Sequence, residues 1–259
     1  QNWLLFYPVE RWMERWTDYL ITINNEDYRR AKHFPVRKEI LYVPGVGVDI
    51  SQFQFSNDAE ARRRKRLELG IQESDFVILS VAELNENKNI TQLIVAVSYM
   101  KRIFDREMQT LSIKCLLAGD GDQRQQLMEK VKELKLNDHI CFLGFRKDIP
   151  ELMAASDVVV LLSKREGLPK ALMEALAAGK PIVTTDVRGN RDLVEDGVNG
   201  YVVKVGDVTG TAEALMKLIK DENKRIQMGK ANREKAKMYD LTNILAQMEK
   251  IYEKALGKM

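Results

Sequence analysis

From residue 75 to residue 203, short apolar runs alternate with longer segments whose apolar residues recur at helical spacing. The runs are continuous, as in parallel strands that other elements cover on both faces. They predict strands at residues 76–82, 113–119, 140–144, 157–163, 181–186 and 200–203. The remaining segments predict helices at residues 90–106, 122–136, 149–155, 169–178, 189–195, 211–221, 222–238 and 243–256. This order predicts an α/β fold with a Rossmann-like, doubly wound parallel sheet.

The chain before this sheet has a different pattern. Residues 18–24 favour one strand, residues 26–34 a short helix, and the proline and glycines of residues 36–50 a stiff, kinked connector. One strand cannot form a sheet alone, so we interpret it as part of a preceding domain. The predicted division is a remnant of that N-terminal domain at 1–35, a connector at 36–50, the sheet domain at 51–238 and a C-terminal helix at 239–259.

The N-terminal segment, residues 1–16, holds all three tryptophans of the chain beside arginine and glutamate residues. It fits an amphipathic helix at a membrane surface, or a helix packed on a domain outside this chain. We favour the second interpretation, because Pro8 and acidic residues interrupt the apolar face.

A run of basic residues at positions 62–66 also allows two interpretations. It suits a patch that binds anionic lipid, or one solvated face of a short helix. Acidic residues on both sides of the run favour the solvated face.

Composition narrows the class of protein. A net charge of +3 gives no indication of nucleic-acid binding, and no apolar run reaches the length of about 18 residues that a membrane span needs. Cys115 and Cys141 lie in apolar runs and fit buried thiols of a reducing compartment. With two histidines in the chain, a histidine-rich metal site is not expected. We predict a cytoplasmic location, with peripheral contact at the inner face of the membrane as the alternative.

The loop after the fourth predicted strand carries the candidate chemistry, because ligands of open parallel sheets bind at the carboxyl ends of the strands. Glu166 lies in this loop, Pro169 suits the first helical position, and Glu174 follows about one turn later. Backbone N–H groups at residues 168–171 favour an anion site at the helix N-terminus. Two carboxylates beside an anion site suit a ligand with sugar hydroxyls, a diphosphate and a ribose diol.

The segment EGLPKALME, residues 166–174, resembles the E-x7-E motif of glycosyltransferase family 4. Residues 116–127, 142–163 and 179–186 agree with that family in order and spacing, and the variants REGLPKALMEA and RGNRDL are similar to bacterial enzymes of capsular polysaccharide and exopolysaccharide biosynthesis. The resemblance implies a retaining hexosyltransferase whose GT-B fold has two Rossmann-like domains. It also implies a nucleotide-diphosphate sugar as donor, a UDP-sugar in our prediction, and a glycan or polyprenyl-linked acceptor.

The resemblance also implies a role for each matched position. Glu166 binds donor-sugar hydroxyls and Lys88 the diphosphate, and these are the predicted catalytic residues. Glu174 binds the ribose, and backbone groups of Phe145 and Arg146 contact the nucleobase. The phosphate-binding segment consists of Gly167, Leu168, Pro169, Lys170 and Ala171. No enzymic nucleophile is implied, since the leaving diphosphate takes the acceptor's proton. We interpret Asp120 of the GDGD segment as a turn residue. No acidic metal cluster of D-x-D type is expected near the phosphate site, so we predict no metal and no cofactor.

One position departs from the family pattern. The family has an arginine five residues before the lysine, where this chain has Glu83. A carboxylate repels a diphosphate, so either another cation replaces the arginine or Glu83 points away from the diphosphate. Arg165, Arg188 and Arg191 are candidates, and we favour the loop of Arg188 and Arg191 because it follows the 181–186 strand.

Two other classes of protein are consistent with the sequence. A nonhydrolysing sugar-nucleotide epimerase also has two Rossmann-like domains, and a non-catalytic nucleotide-sugar-binding module would need no acceptor site. The GT-B resemblance further implies that the last helix crosses back to the N-terminal domain. Without that domain we expect the chain to bind its donor weakly and to transfer no sugar.

Overall fold

The computed structural model describes residues 3–107 and 112–257. The helices are α1 (Trp3–Met13), α2 (Asn25–Ala31), α3 (Ala59–Glu68), α4 (Ile90–Arg106), α5 (Arg124–Glu133), α6 (Ile149–Ala155), α7 (Lys170–Ala177), α8 (Asn190–Leu193), α9 (Val208–Lys220), α10 (Glu222–Ala236) and α11 (Leu241–Ala255). The strands are β1 (Tyr19–Thr22), β2 (Glu39–Tyr42), β3 (Phe76–Val81), β4 (Ile113–Ala118), β5 (Ile140–Gly144), β6 (Val158–Leu161), β7 (Ile182–Thr185) and β8 (Gly200–Val203).

The six strands predicted from the apolar runs form one parallel sheet in the order β5-β4-β3-β6-β7-β8. The chain winds outward from β3 in one direction and from β6 in the other. The predicted doubly wound sheet is therefore confirmed. In such a sheet, the crevice beside the carboxyl ends of the two central strands is the expected ligand position.

Helices cover both faces of this sheet. Strand β3 shows the alternation, because Ile78 packs with α4 and α9 whereas Val77 and Leu79 pack with α6 and α7 on the other face. All three side chains are fully buried. Burial of one such side chain stabilises a fold by about 1.5–3 kcal/mol, which explains why continuous apolar runs become central strands.

Aspartate caps fix where several helices begin. Asp58, Asp207 and Asp221 each accept a hydrogen bond from a backbone N–H in the first turn of the following helix. Because Asp207 caps α9, that helix begins at Val208, three residues before the predicted start. Pro169, predicted at the first helical position of α7, is instead the extended residue before it.

Residues before the large sheet form a small sheet of their own. Strand β2, inside the predicted connector 36–50, pairs parallel with β1 from Tyr19 opposite Glu39 to Thr22 opposite Tyr42. The expectation of a single unpaired strand was wrong, since β2 is too short to stand out from the surrounding proline and glycine residues. The division of the chain into domains stays a prediction.

The connector and the C-terminal helix contact each other. The Val48 N–H donates to Tyr239 O at 2.8 Å, and the Leu241 N–H donates to Val48 O at 2.9 Å. Further along α11, Lys254 donates to Glu39 of β2. Ile244 is buried on this helix, while Leu245 is exposed.

The basic run 62–66 lies on α3, and the solvated face predicted for it was wrong for its most important member. Arg66 is fully buried and donates to Asp157 Oδ2 at 2.8 Å and to Ala155 O at 3.0 Å. Arg62 donates to the other oxygen of the same aspartate, Oδ1, at 2.7 Å. The carbonyl groups at the end of α6 and the Asp157 carboxylate need donors, and α3 supplies them.

The N-terminal segment does form a helix, α1, which includes Pro8. Phe6, Val9, Trp12 and Trp16 are each more than half exposed on α1 and the turn after it. The interpretations as a membrane-surface helix or a helix packed on another domain both remain predictions.

Candidate active site

A cavity of about 730 Å³ opens at the carboxyl edge of the sheet, beside the ends of β3 and β6. Loops after β3, β4, β5 and β6 contribute to its lining. The predicted site residues among its lining are Lys88, Phe145, Arg146, Glu166, Gly167, Leu168, Pro169, Lys170, Ala171 and Glu174. The topology therefore brings together residues that lie far apart in the sequence.

The centre of the site is an ion pair between Lys88 and Glu166. Lys88 Nζ lies 2.6 Å from Glu166 Oε1, with the side chains 22% and 10% exposed. The turn that carries Lys88 is fixed by neighbouring asparagines, because Asn87 Nδ2 donates to Arg165 O at 3.0 Å and Asn89 Nδ2 donates to Leu162 O at 3.2 Å. These hydrogen bonds fix the loop after β3 against the loop after β6.

Glu174 lies on α7 and is 8% exposed. Its Oε1 is 3.2 Å from Lys170 Nζ. Burial raises the pKa of this carboxyl group, and the Lys170 ammonium partly opposes that rise. The small buried side chains of Ala175 and Ala177 let the helix lie close against the sheet.

The helix N-terminus adjoins the cavity through Pro169, Lys170 and Ala171. Proline has no N–H group, so the predicted set of amides at residues 168–171 loses one member. Leu168, Lys170 and Ala171 retain N–H groups that can donate hydrogen bonds to an anion at the helix N-terminus.

The turn after β5 presents Phe145 and Arg146 to the cavity in different ways. The Phe145 side chain is 77% exposed. The Arg146 guanidinium is turned toward Asp148, with Nε–Oδ1 and Nη2–Oδ2 distances of 2.7 and 2.5 Å. Its charge is engaged by Asp148, which is compatible with a role for the Arg146 backbone.

The structure does not place Arg188 and Arg191 at this cavity. Arg188 Nη1 lies 2.9 Å from Asp27 Oδ1, and Arg191 is paired with Asp186 at 2.6 Å and with Glu26 at 3.1 Å. The acidic first turn of α2 draws both guanidinium groups to a neighbouring cleft. In this structure neither arginine takes the place of the missing one, and its replacement by either of them stays a prediction.

Glu83 itself lines the cavity. Its Oε2 accepts a hydrogen bond from Asn85 Nδ2 at 2.8 Å, and Asn85 Oδ1 accepts from the Lys88 N–H at 3.1 Å. The cations along the cavity in the described part of the chain are Lys88, Arg146 and Lys170. Lys88 is thus the central cation of the site.

Sequence reasoning missed Asn24 as a neighbour of the site. This residue is fully buried, caps α2, and donates from Nδ2 to Gly167 O at 3.1 Å. An asparagine before an acidic first turn is a recognisable helix cap. Its contact with a loop 143 residues away is not visible in the sequence.

A second cavity, of about 740 Å³, lies at the opposite edge, where the strands begin. It is lined by residues that include Arg62, Asp157, Lys180 and Arg233. Burial, and then the charge of Arg62, lowers the pKa of Lys180 to about 7. Ligands of open parallel sheets bind at the carboxyl ends, so position rather than size selects the first cavity.

The sequence profile of the family described as "Glycosyl transferases group 1" matches residues 61–235, which include the whole lining of the first cavity. This chain belongs to that family. Its six-stranded sheet is one Rossmann-like half of a GT-B glycosyltransferase fold, as the resemblance implied.

One protein similar to this chain is EpsD of Bacillus subtilis, whose name describes it as a glycosyltransferase. EpsD is 36% identical over 253 residues, covering 97% of this chain and 65% of EpsD. The Escherichia coli UDP-Gal:alpha-D-GlcNAc-diphosphoundecaprenol alpha-1,3-galactosyltransferase is 29% identical over 220 residues, covering 83% of this chain and 55% of the enzyme. The chain thus spans less than two thirds of the length of both relatives.

Solved structures of other proteins have the same fold as this chain. Anabaena HepE in complex with UDP-glucose superimposes with a TM-score of 0.81 at 26% identity, covering 93% of this chain and 65% of HepE. Sucrose-phosphate synthase from Thermosynechococcus elongatus gives a TM-score of 0.83 at 21% identity, covering 97% of this chain and 61% of the synthase.

Two kinds of feature are absent from the described residues. None of their helices has the length and apolar character of a membrane span. Among residues 3–107 and 112–257, no group of three or more histidine, cysteine, aspartate or glutamate side chains is arranged to hold a metal ion. Metal independence of the reaction stays a prediction.

Proposed function

We propose that this chain is the donor-binding part of a retaining glycosyltransferase of family 4. The observation that carries the proposal is the convergence of Lys88, Glu166, Glu174 and the start of α7 on one cavity at the carboxyl edge of the sheet. A nucleotide-diphosphate sugar has a group for each: a diphosphate for Lys88 and the helix amides, a sugar for Glu166, and a ribose for Glu174.

In this proposal the protein acts by position and charge. Lys88 and the N–H groups of Leu168, Lys170 and Ala171 stabilise negative charge that develops on the departing diphosphate. Glu166 orients the sugar, so that the acceptor hydroxyl attacks from the side that the diphosphate leaves. The diphosphate oxygen takes the proton of that hydroxyl, and no enzymic nucleophile is needed.

The named ligands of similar proteins guide the choice of substrates. A HepE structure contains UDP-glucose, which supports a UDP-hexose as donor here. The name of the E. coli relative specifies a diphosphoundecaprenol acceptor, which supports a polyprenyl-linked or glycan acceptor. The resemblance of residues 165–175 to capsular and exopolysaccharide enzymes supports a role in such a pathway.

We further propose that transfer needs a polypeptide longer than this chain. The chain spans 65% of EpsD, and the described residues supply one large sheet and one small one. The other half of a GT-B enzyme would hold the acceptor and exclude water when the cleft closes. The chain alone is expected to bind a donor and to lack transferase activity.

Calorimetric titration with UDP and UDP-glucose tests the proposal. We expect Kd values on the order of 10 µM to 1 mM. Glu174→Ala should weaken UDP binding about 10- to 150-fold, which is the loss of affinity expected when one charged hydrogen bond is removed. Exposed Glu253→Ala is the matched control and should leave the affinity unchanged. Absence of binding by the unmodified chain to a panel of nucleotide sugars would overturn the proposal.

Turnover assays separate the proposed enzyme from the other classes. Change of the donor sugar without any acceptor would support an epimerase instead. Transfer to a lipid-linked acceptor by this chain, at the rate of a longer form, would show that the acceptor site lies within these residues.

A further inference from the structure

A set of polar contacts joins the start of α2 to the loops that follow β6 and β7. The Asn25 N–H donates to Asp192 Oδ2 at 2.7 Å, and Arg191 Nη1 donates to Glu26 Oε2 at 3.1 Å. Four residues of α2 and its cap take part, with two partners in the loops after β6 and β7 and two on α8. We call this set the polar clasp; it consists of Asn24, Asn25, Glu26 and Asp27 on one side and Gly167, Arg188, Arg191 and Asp192 on the other.

The buried member of the polar clasp is Asn24, which is 0% exposed. Its Oδ1 accepts from the Asp27 N–H at 2.8 Å, and its Nδ2 donates both to Asp27 Oδ2 at 2.7 Å and to Gly167 O at 3.1 Å. The amide orientation is therefore fixed by α2 itself. A rigid donor is presented to the carbonyl of the residue after Glu166.

Arg188 contacts the neighbouring carbonyl group, that of Glu166. Its Nη1 donates to Asp27 Oδ1 at 2.9 Å, and its Nε donates to Glu166 O at 3.4 Å. Gly189 has φ +80°, and a Cβ there would lie 2.1 Å from Gly167 O. The carbonyls of Glu166 and Gly167 are thus held between two loops and the Asn24 amide.

We propose that the polar clasp positions Glu166 for the donor sugar, with Asn24, Asp27 and Arg188 as positioning residues. This inference rests on the proposed function. The contacts of Asn24 and Arg188 converge on the carbonyl groups of Gly167 and Glu166. They do not involve Glu174, whose ion-pair partner Lys170 belongs to α7. We therefore expect the clasp to act mainly on the sugar half of the site, because Glu174 and the N–H groups of Lys170 and Ala171 lie on α7 outside the clasp.

The clasp also gives Arg188 a role different from binding the diphosphate. If Arg188 acted directly on the diphosphate, Asp27 would compete for it, and Asp27→Ala would strengthen UDP binding. If Arg188 acts through the clasp, Asp27→Ala and Arg188→Ala have the same effect, and the double variant is no worse than either. The two arrangements therefore give opposite results for one substitution.

The test is calorimetric titration of the chain with UDP and with UDP-glucose. Arg188→Ala and Asp27→Ala should each weaken UDP-glucose binding about 2- to 5-fold, since the pair is partly exposed, and leave UDP binding within about 2-fold. Asn24→Ser keeps a residue that can cap the helix, but the serine side chain is too short to reach Gly167. This variant should weaken UDP-glucose binding about 3- to 10-fold. Lys164→Ala removes an exposed cation of the same loop that pairs with Glu86, and it is the control expected to change neither affinity.

Several results would overturn the clasp. These are equal losses for UDP and UDP-glucose, additive effects in the Asp27→Ala, Arg188→Ala double variant, or tighter UDP binding by Asp27→Ala. Asp27→Ala and Arg188→Ala change partly exposed side chains, so these two variants still test the clasp if the Asn24→Ser variant unfolds. Failure of the proposed function looks different, because the unmodified chain would then bind neither ligand.

Discussion

Lys88 Nζ and Glu166 Oε1 are 2.6 Å apart, although the two residues are separated by 78 positions in the sequence. The pair joins the loop after β3 to the loop after β6, across the two central strands of the sheet. The two charges neutralise each other before a donor binds. In the proposed binding mode a donor divides this pair, with the diphosphate on the lysine and the sugar hydroxyls on the glutamate.

The division of the Lys88–Glu166 pair predicts different effects for its two members. Lys88→Met should weaken UDP and UDP-glucose binding alike, by about 10-fold or more, because the diphosphate loses a charged partner. Glu166→Gln should instead strengthen UDP binding about 2- to 5-fold by releasing Lys88 from a competing partner, and should abolish any preference for UDP-glucose over UDP. Titration calorimetry measures both constants. Equal weakening of both ligands by Glu166→Gln would contradict the assignment.

The ionised Glu174 carboxylate should make the protein less stable at neutral pH than an uncharged side chain of the same size would. Burial raises the pKa of this carboxyl group, so the folded state keeps its proton to a higher pH than the unfolded chain. The stability that this group contributes then falls as pH rises from the ordinary carboxyl range, about 4.3, toward the raised value. Glu174→Gln should therefore raise the free energy of unfolding more at pH 7 than at pH 4, while UDP affinity drops.

Urea unfolding at the two pH values measures the effect of Glu174→Gln. Exposed Glu253→Gln serves as the control, and it should change the free energy of unfolding by less than about 0.5 kcal/mol at either pH. An equal gain from Glu174→Gln at pH 4 and pH 7 would rule out titration of this carboxyl group as its origin.

Asp157 should be essential for stability rather than for binding. It is the carboxylate partner of fully buried Arg66, and it also accepts from the Val77 N–H at 2.8 Å. Asp157→Ala leaves a buried cation without its counter-charge, which costs about 3–5 kcal/mol. Asp105→Ala, which breaks the exposed pair with Lys101, should cost less than about 1 kcal/mol. Similar unfolding midpoints for the two variants in urea would disprove the importance of burial.

Gly119 holds the loops after β3 and β4 together. A Cβ at this position would lie 1.9 Å from Ala82 O. Gly119→Ala should therefore displace the loop that carries Glu83, lowering both the free energy of unfolding and UDP affinity. Gly144→Ala is the matched control, since Gly144 has φ +67° but open space around its Cβ position, and it should cost only about 1 kcal/mol for the backbone conformation. Thermal unfolding and UDP titration distinguish the two, and an unchanged affinity in Gly119→Ala would refute the role of close loop packing.

The sequence alone predicted the six strands, most helices and the class of the fold. These features follow from local patterns, because a continuous apolar run must be covered on both faces and an amphipathic segment must turn one face inward. The spacing of Glu166 and Glu174 around a helix start also lies within one short segment. The resemblance to glycosyltransferase family 4 assigned Lys88 to the same site as Glu166. The two residues follow neighbouring parallel strands, whose carboxyl ends share one edge of the sheet.

The tertiary structure decided which charged groups meet. Arg188 and Arg191 contact acidic residues of α2 more than 160 positions away. Arg66 is buried because it donates hydrogen bonds to Asp157 and to the end of α6, which cover it. The sequence also did not reveal that β2 pairs with β1 or that Asn24 reaches Gly167. Helical spacing and charge patterns report on neighbours along the chain. The partner of a long polar side chain depends on loops brought together by packing of the whole sheet, and no local pattern contains that information.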